Sequence, residues 1–127
     1  MKLFCFLLAM LACALKLSAD PTNSVPPLKI GTDQATNYYD QTMTVTGKVA
    51  QVTLHKSIIF LNLDQPYPDS PFALVIFADD APKFGDIKAL YGQDVEATGK
   101  IKKYHDKPEM VLQSTNQLKV LPSDTAK

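Results

Sequence analysis

Two stretches lying 52 positions apart echo each other and constrain the fold more than anything else in the chain. Residues 39–49 read YDQTMTVTGKV and residues 91–101 read YGQDVEATGKI. They share the Tyr, the Gln and the whole Thr-Gly-Lys, and Met43/Val95, Val45/Ala97 and Val49/Ile101 match by type. Each alternates apolar with polar: Met43, Val45 and Val49 against Thr44, Thr46 and Lys48, then Val95, Ala97 and Ile101 against Glu96, Thr98 and Lys100. A period of two predicts a strand with one buried face. Gly47 and Gly99 predict a bulge or tight bend in each strand.

The ends of the chain read differently. Residues 1–19 hold one early charge, Lys2, an apolar run over 3–11, and small residues at two cleavage points, after Ala14 and after Ala19. This is the layout of a secretory signal peptide, too short to be a spanning helix. Cleavage after Ala19 is preferred, because polar, Pro-containing sequence starts at Asp20; lipoprotein processing at Cys13 fits poorly, since apolar residues continue to Leu17. The expected location is therefore secreted or periplasmic, with no membrane span after cleavage. Both cysteines, Cys5 and Cys13, leave with the leader, so a mature domain must stand on its own core without disulfides. The 127 residues less 19 leave 108, enough for one domain. All 13 basic residues are lysine, and losing Lys2 and Lys16 leaves 11 against 13 acids, a formal charge of −2. A mildly acidic chain without arginine lacks the bidentate fork that best reads phosphate and guanine.

Residues 20–29, with Pro21, Pro26 and Pro27, read as an extended linker, and residues 122–127 as a polar tail. Between them lies one domain over 30–121. Thr32 is placed to cap a short helix over 33–38. A long first strand spans 42–56 and bends at Gly47, as suits a small barrel in which one strand serves two sheets. The second strand, SIIFLNL at 57–63, and the third, FALVIFA at 72–78, are apolar on both faces, with a Pro-rich loop over 64–71 between them. Asp80 and Pro82 open a second helix; Phe84, Ile87 and Leu90 follow at helical spacing, and Gly92 closes it. A fourth strand over 94–104, a hairpin turn at 105–107 and a fifth strand over 108–113 complete the order, with a last short pairing at 118–121.

Strand, strand, strand, helix, strand, strand is the order of the OB-fold, an all-β five-stranded Greek-key barrel with one or two short helices. TVTGKV, SIIFLNL, the Tyr67-Pro68 loop, YGQDVEATGKI and the run from Tyr104 through Lys107, Pro108 and Glu109 to Met110 resemble small exported OB-fold proteins of the nucleic-acid-binding type. The likeness covers residues 30–120. A Gly often sits in that hairpin in the family, and Asp106 takes its place here. The resemblance implies a ligand on the face of strands two and three and between the flanking loops. Carried onto this chain, that selects Lys56, Phe60, Asn62, Tyr67, Phe72, Tyr104, His105 and Lys107. Aromatic rings would stack on bases and lysines would follow phosphates. Lys100, Lys102, Lys103 and Lys107 form the best basic patch, interrupted by Asp94, Glu96, Asp106 and Glu109.

Other chemistry finds little support. His55 and His105 belong on one rim, but no metal-ligand spacing accompanies them, and no cofactor is expected. No G-x-S-x-G turn supports a nucleophile. Gly47-Lys48 and Gly99-Lys100 lack the earlier Gly and the following Ser or Thr of a phosphate loop. Asp79 and Asp80 are explained by helix capping. The expectation is a non-enzymatic module binding single-stranded nucleic acid or nucleotides. The alternative is an exported module of the cell envelope that binds a protein or glycan in the same groove.

Overall fold

The structure is a computed structural model that describes residues 25–122. The expected leader, residues 20–24 of the expected linker and residues 123–127 of the expected tail lie outside them. Eight strands follow in order: β1 (Lys29–Gly31), β2 (Thr42–His55), β3 (Ile58–Leu63), β4 (Phe72–Phe77), β5 (Asp94–Lys100), β6 (Lys102–Tyr104), β7 (Lys107–Val111) and β8 (Leu118–Val120). Lys29, expected to end the linker, is the first residue of β1, which pairs parallel with β2.

The long strand β2 does serve two sheets. Its first half, Thr42 to Lys48, pairs antiparallel with β5, and its second half, Val49 to His55, with β3. β3 pairs with β4, β4 runs parallel to β7, and β7 pairs with β6. Only Ile101 separates β5 from β6. The path therefore returns to β2 and encloses a core, giving the five-stranded Greek-key barrel of the OB-fold. The inner wall carries Val45, Val49, Leu61, Leu63, Phe72 and Leu74, all at 0–1% exposure. Burying each such side chain contributes about 1.5–3 kcal/mol.

The echo pairs with itself. Val45 sits opposite Ala97, its equivalent in the repeat, and Thr44 opposite Thr98 with their hydroxyls 2.7 Å apart. Neither glycine is a bulge: both lie in unbroken ladder register, and Gly47 stands just before the point where β2 passes from one sheet to the other. They are small because other elements cross closely. A Cβ on Gly47 would come within 2.9 Å of Thr32 Cγ2, and one on Gly99 within 2.9 Å of Gln117 Nε2 and 3.1 Å of Met110 Cγ.

The helices differ from expectation as well. The segment from Asp80 to Gly92 forms two 3₁₀ turns, Ala81–Phe84 and Ile87–Leu90, parted by Gly85 at φ 67°. Asp80 stands before the first turn without capping it, its carboxylate instead 2.8 Å from Lys83 Nζ. Thr32 starts the 3₁₀ turn Thr32–Asn37 rather than capping it, because its hydroxyl donates to Asp64.

Candidate functional site

One extra residue decides which side chains leave the core. Val49 faces Leu63 but Gln51 faces Asn62, so Ala50 is unopposed and β2 bulges there. Before the bulge the odd-numbered residues Met43, Val45 and Val49 point inward; after it Val52 packs on the core and Gln51, Thr53 and His55 turn outward. A one-residue shift flips a strand's faces. Across the ladder, Phe60 and Asn62 share that outer face with Ala73 of β4 and Glu109 of β7.

These residues floor a groove of about 520 Å³. The apolar character of β3 and β4 on both faces now has a cause: one face fills the barrel and the other floors the groove. Two loops wall it. Tyr67 and Ser70 come from the β3–β4 loop, and Tyr104, His105, Lys107 and Pro108 from the β6–β7 hairpin. In that hairpin Tyr104 pairs with Lys107, and the two loop residues, His105 (φ 50°) and Asp106 (φ 64°), both take left-handed backbone. Two positive φ values are the signature of a type I′ turn, which Asp tolerates.

Hydrogen bonds hold the walls. Gln51 Oε1 accepts from Asn62 Nδ2 at 2.9 Å and from the Tyr67 backbone N–H at 2.8 Å, so one amide ties the floor to the loop. The Lys107 ammonium donates to the Pro68 carbonyl and ties the hairpin to the same loop. The rings of Tyr67 and Tyr104 remain 74% and 55% exposed, available for stacking. His105 packs edge-on against Tyr104, with centroids 4.1 Å apart.

The groove is not basic. Burial pushes the Glu109 carboxyl above the ordinary glutamate range, and nearby His105 partly offsets the rise. Among the described residues no hydrogen bond or ion pair reaches that carboxylate. Among the described residues, Lys107 is the one lysine lining the groove. Lys103 is drawn toward Asp106 at 3.9 Å and over the Tyr39 ring at 5.7 Å.

Of the eight residues expected at the site, Phe60, Asn62, Tyr67, Tyr104, His105 and Lys107 line the groove. Phe72 does not: it pairs with Leu63 on the inner face and is 1% exposed, so it belongs to the core. Lys56 sits at the exposed β2–β3 turn, at φ 57°, and is not part of the lining. Sequence reasoning missed Gln51, Thr53, Ser70 and Glu109 and weighed His55 only for metal. The signal that could have found Gln51 and Thr53 is polar residues continuing at odd positions where apolar ones were due. Both histidines and Glu109 do share the groove, yet among the described residues no group of three or more His, Cys, Asp or Glu is gathered to hold a metal ion. Nor is any described helix long and apolar enough to cross a membrane.

No family model matches the chain, and no curated protein does. Solved structures do. The chain is similar to an OBody, AM1L10, solved bound to hen egg-white lysozyme, at TM-score 0.58 and 13% identity over 80% of this chain and 100% of that one. It is also similar to asparaginyl-tRNA synthetase of Entamoeba histolytica, at TM-score 0.55 and 19% identity over 81% of this chain. Aspartyl-tRNA synthetase of the same organism matches at TM-score 0.50 and 11% identity over 85% of this chain. The chain spans 25% and 24% of the length of those two synthetases. At these identities the likeness establishes the OB-fold and nothing finer.

Proposed function

We propose that this protein is a non-catalytic module that binds single-stranded nucleic acid or nucleotides in the groove over β2, β3, β4 and β7. One observation carries the reading: Phe60, Tyr67 and Tyr104 converge on one groove with two of the rings exposed. Stacking tolerates every base and is worth about 1–3 kcal/mol per base. Structural likeness to two proteins named as aminoacyl-tRNA synthetases supports it at the level of fold. The near-neutral lining makes this a groove for bases rather than for backbone, so affinity depends shallowly on salt.

A second reading is a protein or glycan ligand in the same groove. Two observations favour it: Glu109 in the floor with Lys107 already bonded to Pro68, and the lysozyme-bound OBody among the similar structures. Export is part of the proposal and rests on the leader-like residues 1–19 alone; mass spectrometry of the N-terminus after expression with an export pathway present tests it. Fluorescence anisotropy of the purified protein with labelled single-stranded DNA and RNA, at low and near-physiological salt, tests the binding. Saturable binding that weakens roughly tenfold with Tyr67→Ala or Tyr104→Ala is the expected result. Absence of binding at low salt overturns it and moves the search to glycans and protein partners.

A further inference from the structure

The groove floor contains a row of side chains running straight across the sheet. Gln51 of β2 faces Asn62 of β3, Asn62 faces Ala73 of β4, and Ala73 faces Glu109 of β7. Lys102 of β6 stands across from Glu109 on the far side. Gln51 and Asn62 bond each other. Ala73, the smallest outward side chain of the row, leaves open space beside Glu109. The Glu109 carboxylate is half-buried and takes no hydrogen-bond or ion-pair partner among the described residues. Partly withdrawn from water and without a protein partner, this carboxylate is placed to accept from a ligand in the groove. An ionised carboxylate accepts and cannot donate, so its complement is a group with N–H donors.

Resting on the nucleic-acid reading of the groove, we infer that Glu109 determines base specificity: its carboxylate accepts the paired N1–H and N2–H donors of a guanine stacked on the groove's aromatic rings. The bases differ sharply on this point. Unpaired bases offer their Watson–Crick edges to a protein. The guanine edge places two N–H donors side by side, at the spacing of two carboxylate oxygens. Adenine and cytosine each present one donor beside an acceptor nitrogen, whose lone pair meets the second oxygen. Thymine and uracil present one N–H between two carbonyls, both facing anionic oxygen. The exposed Tyr67 and Tyr104 rings bind any base alike, so discrimination falls to the floor. Burial raises the Glu109 carboxyl, and a paired set of ligand donors would stabilise its ionised form in return.

The test uses the purified protein and four labelled thymidine hexamers, identical except for guanine, adenine, cytosine or thymine at the third position. Anisotropy at pH 8 should place the guanine hexamer roughly tenfold tighter than the all-thymidine one, the scale of one bidentate contact. Glu109→Gln turns one acceptor into a donor. It should abolish the guanine preference and bring adenine or cytosine to the top, a re-ranking that loss of structure would not produce. Glu109→Asp, which keeps the carboxylate, should retain the guanine ranking at lower affinity. Tyr104→Ala should weaken all four hexamers alike. Equal binding of all four by the wild-type protein, or a ranking that Glu109→Gln leaves unmoved, overturns the role of Glu109 while the groove remains a nucleic-acid site. Failure of every hexamer to bind overturns the nucleic-acid reading, and this inference with it.

Discussion

Asp64 and Glu109 are two acids on one barrel, and they differ in a way that separates scaffold from site. Asp64 follows β3 in left-handed backbone, at φ 67°. Its carboxylate accepts the Thr32 hydroxyl and the Lys48 backbone N–H, the latter at 2.9 Å. Lys48 Nζ in turn lies 3.5 Å from Asp94 and 3.4 Å from the Gly92 carbonyl. The residue is exposed, yet its bonds are made, and it stitches the 3₁₀ turn and β2 to the end of β3. Glu109 is less exposed and has no such partner among the described residues. The more accessible acid is satisfied and the less accessible one is open. Solvent fully serves a surface group that lacks partners, whereas a half-buried one loses part of its hydration and has no protein partner to offset the loss. Where a fold keeps such a group, a functional site is the natural suspect.

The contrast can be broken at several points. The largest expected effect lies at its boundary, where Phe72 and Phe60 occupy opposite faces of the same sheet. Phe72→Ala should cost about 3–5 kcal/mol in urea denaturation, as a core cavity does, whereas Phe60→Ala should cost less stability and reduce oligonucleotide binding. Comparable stability for the two variants would mean that the faces are misassigned. Asp64→Ala removes the acceptor for two donors and should cost about 2–3 kcal/mol by the same measurement, with binding of the labelled hexamers unchanged. A loss of binding there would merge the two regions into one site.

Lys107→Met probes a smaller effect. The ammonium is exposed and holds the Pro68 carbonyl, so stability should move by no more than about 0.5 kcal/mol. The salt dependence of oligonucleotide binding should stay the same; a slope reduced by about one would make Lys107 a phosphate contact instead. The smallest effect is the pH dependence at Glu109. Its folded-state value lies above the ordinary 4.5, so between the two values the native state binds more protons than the unfolded chain. Stability therefore declines as pH rises through that window. The charged groups around it are His105 of the hairpin, Lys102 across on β6 and Lys107 on β7 itself; β4 offers only Ala73. Glu109→Gln should raise the melting temperature slightly at pH 7 and leave it unchanged below the window. A melting temperature lowered at pH 7 would reveal a stabilising partner for the carboxylate.

Much of the fold was legible because it is encoded locally. Alternation over 42–49 and 94–101 announces strands whatever they pair with. The loop prolines over 64–71 and the hairpin after Tyr104 are likewise local, and their order already implies the barrel. The expectation of one continuous helix from Asp80 to Gly92 failed at Gly85, whose positive φ stops a turn that the spacing of Phe84, Ile87 and Leu90 would have continued. The close packing that keeps the echo's glycines small was not legible in the sequence because its reason lies in other segments: Thr32 over Gly47, and Gln117 with Met110 beside Gly99.

The sequence by itself determined the main strands, their order, the barrel that order implies and the aromatic residues from which a site could be drawn, though not β1 or the break between β5 and β6 at Ile101. Only the tertiary structure decided that Phe60 faces the groove and Phe72 the core. In a strand apolar on both faces, side-chain parity has no meaning until the partner strand supplies a register. The extra residue at Ala50 then resets that parity for half of β2. Pairing of charges was likewise beyond local reading, since the bonds from Thr32 to Asp64 and from Lys107 to Pro68 span 32 and 39 residues. Which polar groups those long-range contacts satisfy, and that among the described residues they leave Glu109 without a partner, follows from how the chain closes on itself and from nothing within reach of a sequence window.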